Sequence, residues 1–156
     1  MKKIFEYGLL WVCIDQLTKR IITIFIELEK SITIIPSFFK LTYVRNTGAA
    51  WSILEGNRLF LILVSIVAIG LVYFFMIKDK KIEKIEQVGY GILLGGILGN
   101  LLDRIVFGYV IDFFHFIFGN YNFPIFNVAD IGIVLGTFII IGIMLKEDFH
   151  ENRSRK

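Results

Sequence analysis

Three aspartates lie in or beside apolar sequence: Asp103 in Gly95-Gly96-Ile97-Leu98-Gly99-Asn100-Leu101-Leu102-Asp103-Arg104, Asp112 in Val110-Ile111-Asp112-Phe113, and Asp130 in Phe126-Asn127-Val128-Ala129-Asp130. A charged side chain at membrane depth costs at least roughly a few kcal/mol unless it is paired or lines a wet cavity. A reaction centre is the leading explanation for retaining such groups. Two carboxylates sharing one proton can serve as general base and general acid toward a water molecule, because like charges about 3 Å apart cannot both ionise. That chemistry needs neither metal nor cofactor. Other chemistries lack their residues: there is no His-Glu-x-x-His pattern, no cysteine cluster, no Gly-x-Ser-x-Gly elbow and no phosphate loop.

Each acidic residue also has a structural reading. Asp15 and Lys19 are four residues apart, a favourable order for an ion pair on one helix face, with Lys19 and Arg20 extending to the membrane interface. The functional alternative gives Asp15 a supporting role, holding the core polar network or the substrate. Asn127 and Asp130 have the spacing of a helix N-cap and its reciprocal acid, which is compatible with chemistry because the positive helix end favours a charged carboxylate. Asp103 and Arg104 can be a boundary charge pair. Asp112 is harder to explain structurally: Val110, Ile111, Phe113 and Phe114 flank it, and residues 108–129 contain no Lys or Arg. His115 reads as a polar edge residue, and His150 belongs to the charged tail.

The elements that must position these groups are membrane helices. The 156 residues are 56% hydrophobic, with a mean hydropathy of +0.70. The apolar residues fall in blocks, and about twenty in a row are needed to cross a bilayer as a helix. We expect an all-α integral membrane protein with four transmembrane helices, over about 4–26, 59–77, 87–107 and 128–145, forming a single polytopic domain across 1–156. The first block carries Asp15, Gln16, Lys19 and Arg20 and lacks a small-residue cleavage site, so it reads as a retained helix. Cys13 is the single cysteine, which excludes an intrachain disulfide.

Charge placement gives the orientation. Lys2 and Lys3 precede the first span, Lys78, Lys80, Lys81 and Lys84 fill the link at 78–86, and Lys146, Arg153, Arg155 and Lys156 follow the fourth. The positive-inside rule puts both termini and that link in the cytoplasm, with 27–58 and 108–129 outside. Topology accounts for the basic residues, so nucleic acid is not an expected partner. In the first outer segment, Ser31–Ile34 and Lys40–Val44 alternate and are separated at Pro36, which predicts two short strands of a small extracytoplasmic β platform. Asn46-Thr47-Gly48 predicts a turn, and Trp51 an interfacial anchor. In the third span Gly91, Gly95, Gly99 and Asp103 share one face, with Gly96, Asn100 and Arg104 on the adjacent stripe. Small residues let helices approach closely, and Gly132 and Gly136 repeat the device in span four.

Five motifs in this order resemble the lipoprotein signal peptidases, the type II signal peptidases of bacteria: Asp15-Gln16-Leu17-Thr18-Lys19, Asn46-Thr47-Gly48-Ala49-Ala50-Trp51, Gly95 through Arg104, Val110-Ile111-Asp112-Phe113 and Phe126-Asn127-Val128-Ala129-Asp130. The resemblance implies an intramembrane aspartic endopeptidase of the bacterial cytoplasmic (inner) membrane. Such an enzyme removes signal peptides from prolipoproteins carrying a diacylglyceryl cysteine, cutting just before that cysteine. It further implies a catalytic pair at Asp112 and Asp130. Asp15, Lys19, Asn46, Gly48, Asn100, Asp103, Arg104 and Asn127 would shape the site or contact substrate. Also implied are a β cradle on the outer face, contact with membrane lipid, no cofactor, no metal, and inhibition by the cyclic peptide globomycin. Within that scheme we expect Asp130 to start ionised and Asp112 protonated. The rival from another class is a small transporter using the same carboxylates as an ion path, but such a path needs polar groups at all depths and 59–77 has almost none.

Overall fold

The computed structural model describes residues 1–48, 55–78 and 82–154, with only the backbone described at 77, 78 and 147–154. Ala49, Ala50 and Trp51, together with Lys80, Lys81, Arg155 and Lys156, lie outside the described residues. In chain order the elements are α1 (Lys2–Phe25), β1 (Ser31–Ile35), β2 (Phe39–Asn46), α2 (Arg58–Lys78), α3 (Lys84–Val106), β3 (Val110–Phe118), β4 (Tyr121–Asn122) and α4 (Val128–Ser154). Among the described residues three helices are long and apolar enough to cross a membrane, within α2, α3 and α4. α1 has 24 residues, about 36 Å at 1.5 Å per residue, but its embedded charges set it apart from those three.

α3 is the hub, packing against α1, α2 and α4. Its glycines explain how. A Cβ on Gly91 would lie 2.9 Å from the carbonyl oxygen of Ile4, and one on Gly95 2.7 Å from that of Gly8, so α1 rests directly on α3. Gly96 meets α4 instead, its missing Cβ falling 2.9 Å from the Ile133 nitrogen. Small-residue faces of this kind let membrane helices approach until backbones touch. α2, by contrast, packs on α3 and on little else. One end of it is tied down by Arg58, whose Nε and Nη2 donate to Arg104 O at 2.8 Å and Ile105 O at 2.7 Å. Both carbonyls belong to the last turn of α3, where helix N–H donors run out; Arg104 O also accepts the N–H groups of Phe107 and Gly108.

The sheet is larger than the two expected strands. Its order is β1-β2-β3-β4 and every pairing is antiparallel. β1 and β2 are the two strands predicted on either side of Pro36, and they pair antiparallel, with Ser31 opposite Thr42 and Thr33 opposite Lys40. β3 then pairs with β2, putting Val44 opposite Asp112 and Asn46 opposite Val110. The turn from α3 into β3 is short, and Gly108 adopts φ +86, a conformation that side chains disfavour. Ile111 and Phe113 point into a cluster with Ile22, Ile26, Tyr43 and Val128, which joins the sheet to the ends of α1 and α4.

Candidate active site

Asp112 and Asp130 line the same cavity, although 18 residues separate them and they come from different elements. The cavity measures about 920 Å³. Its polar end holds Asn46, Asn100, Arg104, Asp112 and Asp130, while Val64, Ala68, Leu71, Val72 and Phe75 of α2 and Val134 and Leu135 of α4 make an apolar sleeve. β3 delivers Asp112, and the first turn of α4 delivers Asp130.

Asparagines connect the two carboxylates. Asn127 Nδ2 donates to Asp112 Oδ1 at 2.6 Å and to Asn100 Oδ1 at 3.1 Å. Asn100 Nδ2 donates onward to Asp130 Oδ1 at 2.8 Å. Asn46 Nδ2 donates to the other oxygen of Asp112 at 2.9 Å. The predicted cap also forms: Asp130 N donates to Asn127 Oδ1 at 2.9 Å, and Asn127 N returns a bond to Asp130 Oδ2 at 3.1 Å. The pair therefore caps α4 and at the same time joins the hydrogen-bond network around Asp112. Burial is the main cause that raises the Asp112 carboxyl, to about 7, and the negative charge of Asp130 adds to it. The bonds from Asn46 and Asn127 oppose the rise without cancelling it.

Behind this layer lies an ionic one. Lys19 is 2% exposed and sits 2.9 Å from both Asp15 and Asp103, which are 0% and 1% exposed. The expectation that Lys19 extends to the interface is therefore corrected: two carboxylates and Asn100 Oδ1, at 3.0 Å, hold its ammonium inside. Asp103 also does not pair with Arg104 as a boundary dipeptide. Its partners are Lys19, Gln16 Nε2 at 2.9 Å and the backbone N–H of Ile111 at 3.1 Å. Arg104 instead donates to Gly48 O at 3.0 Å, and Gly48 N donates to Asn46 Oδ1 at 2.9 Å, so the turn after β2 is tied to α3 beside the site. Asp15 accepts the Ala129 N–H at 2.8 Å, supporting the start of α4. His115 is the edge residue expected, bonded to Thr42 and Asn122.

All ten residues singled out from sequence thus fall in one connected network. Gln16 was missed as a separate participant although it stands inside the first motif. Trp11 and Arg58 were missed altogether, because their partners are backbone carbonyls that no side-chain pattern announces. Among the described residues no buried side-chain polar atom lacks a partner, and no group of three or more His, Cys, Asp or Glu residues is placed to hold a metal ion.

Comparison with known proteins agrees over nearly the whole length. The profile of the family described as signal peptidase (SPase) II matches residues 8–146. The lipoprotein signal peptidase of Listeria monocytogenes serotype 4a (strain HCC23) is 39% identical over 137 residues, 88% of this chain and 89% of that protein. That of Bacillus pumilus (strain SAFR-032) is 40% identical over 134 residues, 86% of each chain. That of Clostridium tetani (strain Massachusetts / E88) is 38% identical over 145 residues, 92% of this chain and 93% of the relative. A solved bacterial membrane enzyme, determined in meso at 2.3 Å, superposes with a TM-score of 0.86 at 36% identity, covering 95% of this chain and 90% of its own. A second, at 1.9 Å, gives a TM-score of 0.83 at 36% identity over 94% of both. With the profile, the curated relatives and the solved structures all in agreement, this chain belongs to the signal peptidase II family.

Proposed function

We propose that the protein is an aspartic endopeptidase that removes signal peptides from bacterial prolipoproteins, cutting before a diacylglyceryl cysteine. The observation that carries the reading is the meeting of Asp112 and Asp130 at the polar end of a cavity whose other walls are apolar. On this reading the signal helix lies along the apolar sleeve, with the scissile bond beside the carboxylates. α1 acts as a fourth membrane crossing, with its ions turned onto α3, where Lys19 neutralises Asp15 and Asp103. Both termini and the 78–86 link lie in the cytoplasm, and the sheet lies on the outer face of the bacterial cytoplasmic membrane. The distribution of basic residues supports that orientation.

Asp130 starts as the carboxylate, supported by the donors Asn100 Nδ2 and Asn127 N and by its place in the first turn of α4. Asp112 starts protonated, in keeping with its raised carboxyl. Asp130 takes a proton from water as the water oxygen bonds to the scissile carbonyl carbon, and Asp112 gives its proton to the carbonyl oxygen. The tetrahedral intermediate collapses when the C–N bond breaks. Asp130 protonates the nitrogen as it leaves, and Asp112 takes back a hydroxyl proton of the intermediate as the C=O re-forms, giving a carboxylic acid and an amine. The pair titrates as a unit, so these labels describe its starting form.

The test is cleavage of a diacylglyceryl-modified precursor peptide by purified protein, with and without globomycin. Cleavage before the modified cysteine, blocked by globomycin, is the expected result. Asp112→Asn and Asp130→Asn each lower the rate by at least about a thousandfold while keeping the parent's thermal melt. Full activity in either variant would remove the two-aspartate mechanism.

A further inference from the structure

α1 contributes no side chain to the cavity wall, yet two of its residues, one turn apart, hold the start of α4. Asp15 takes the Ala129 N–H, and Trp11 Nε1 donates to Val128 O at 3.1 Å. The next residue in the chain is Asp130. Asp15 already belongs to the ionic layer, whereas Trp11 carries no charge and has no part in proton transfer. Its surroundings are nonetheless shaped around it. A Cβ on Gly132 would lie 2.7 Å from indole Cε2, and one on Gly95 would lie 2.7 Å from Trp11 Cβ. α3 and α4 thus both present a bare backbone to Trp11, α3 at its Cβ and α4 at its indole. A tryptophan has two side-chain torsions and a donor that seeks a partner when enclosed, so in this slot it works as a spacer of fixed length.

We propose that Trp11 is a positioning residue for the reaction: its indole N–H, donated to Val128 O, sets the axial placement of the first turn of α4 and with it the Asp130 carboxylate relative to Asp112. The inference rests on the two-aspartate reading above. It separates the roles of the two grips. Asp15 is shared among Lys19, Gln16 and Ala129 and cannot be altered without disturbing charge. The indole bond can be removed alone.

The experiment replaces Trp11 with 3-benzothienylalanine, which keeps the bicyclic shape and puts sulfur in place of the N–H, and compares it with Trp11→Phe. A misplaced reacting group costs rate steeply, so both variants lose about tenfold or more in kcat, with KM within about twofold because the sleeve is untouched. The pH profile supplies a readout that packing alone does not move. Asp112 faces the charges of Asp130 from α4, Lys19 from α1 and Arg104 from α3. Displacing Asp130 relieves the repulsion on Asp112 and moves the alkaline limb to lower pH. Gly132→Ala, which drives α4 off the indole, lowers kcat in the same way, and adding Trp11→Phe to it recovers activity to the Trp11→Phe level. An isostere with parent kcat and an unmoved alkaline limb overturns the proposal. Asp130→Asn run alongside tells the two failures apart: an active Asp130→Asn overturns the two-aspartate reading, and the Trp11 proposal falls with it. A dead Asp130→Asn beside a fully active isostere overturns the Trp11 proposal alone.

Discussion

α2 and α3 are nearly the same length, 21 and 23 residues, and do opposite work. Their spanning windows have mean hydropathies of 2.8 and 1.3. α2 is the better membrane helix by sequence and the poorer one by engagement: most of its surface is open, and the hydroxyl of Ser65 bonds back to its own helix at Leu61 O. α3 is mostly enclosed and brings Asn100, Asp103 and Arg104 into the network. Apolar surface facing lipid gains nothing by being replaced with protein, whereas polar groups must be satisfied internally. The most hydrophobic segment therefore forms a wall of the cavity, and the segment diluted with glycine and charge becomes the organising centre.

Substitutions that test this contrast differ widely in expected size. Lys19→Met, which takes the cation away from Asp15 and Asp103, should destabilise the fold by about 3–5 kcal/mol, the usual result of leaving a buried charge uncompensated. Thermal melts in detergent measure it, and a loss under about 1 kcal/mol would deny α3 its central role. Gly96→Ala should cost about 1–3 kcal/mol by forcing α3 off the Ala129–Ile133 backbone, and cleavage should fall with it. Its counterpart on the wall is Gly70→Ala, which meets nothing within 4 Å. There the better helix former should add up to about 1 kcal/mol and leave cleavage within about twofold.

The pH profile sharpens the same contrast from the chemical side. The Asp112 carboxyl is raised to about 7, so it carries its proton below that value and loses it above. Cleavage should bend near pH 7, level off about one unit below it and fall about tenfold per unit on the alkaline side. Ser65→Ala, in the wall, should leave that limb where it is. A limb that moves with Ser65 would place α2 inside the chemistry.

How much of this was legible in the chain depends on whether a signal was local. The apolar blocks, the two strands either side of Pro36, the i to i+4 pairing of Asp15 with Lys19 and the Asn127–Asp130 cap all rest on neighbours close in sequence, and the structure has each of them. β3 escaped notice because Val110–Phe118 is apolar at both parities. Ile111 and Phe113 fill a cluster, while Phe116 stacks with Phe39 and Phe126 and Phe114 lies tilted against both, so no alternation survives. The burial of Lys19 was missed because Asp103, its second partner, lies 84 residues away. Arg58 and Trp11 could not be found by pattern, since a carbonyl acceptor leaves no trace in residue identity.

The exchange of bonds between Asn127 and Asp130 has a kinetic consequence. Fraying of a single helical turn at the start of α4 would undo the cap and displace the Asp130 carboxylate in one event. The competent fraction of the enzyme is then set by the opening free energy of that turn, which is a local quantity distinct from global stability. A variant can melt at the parent temperature and still turn over slowly if its helix start spends more time unwound.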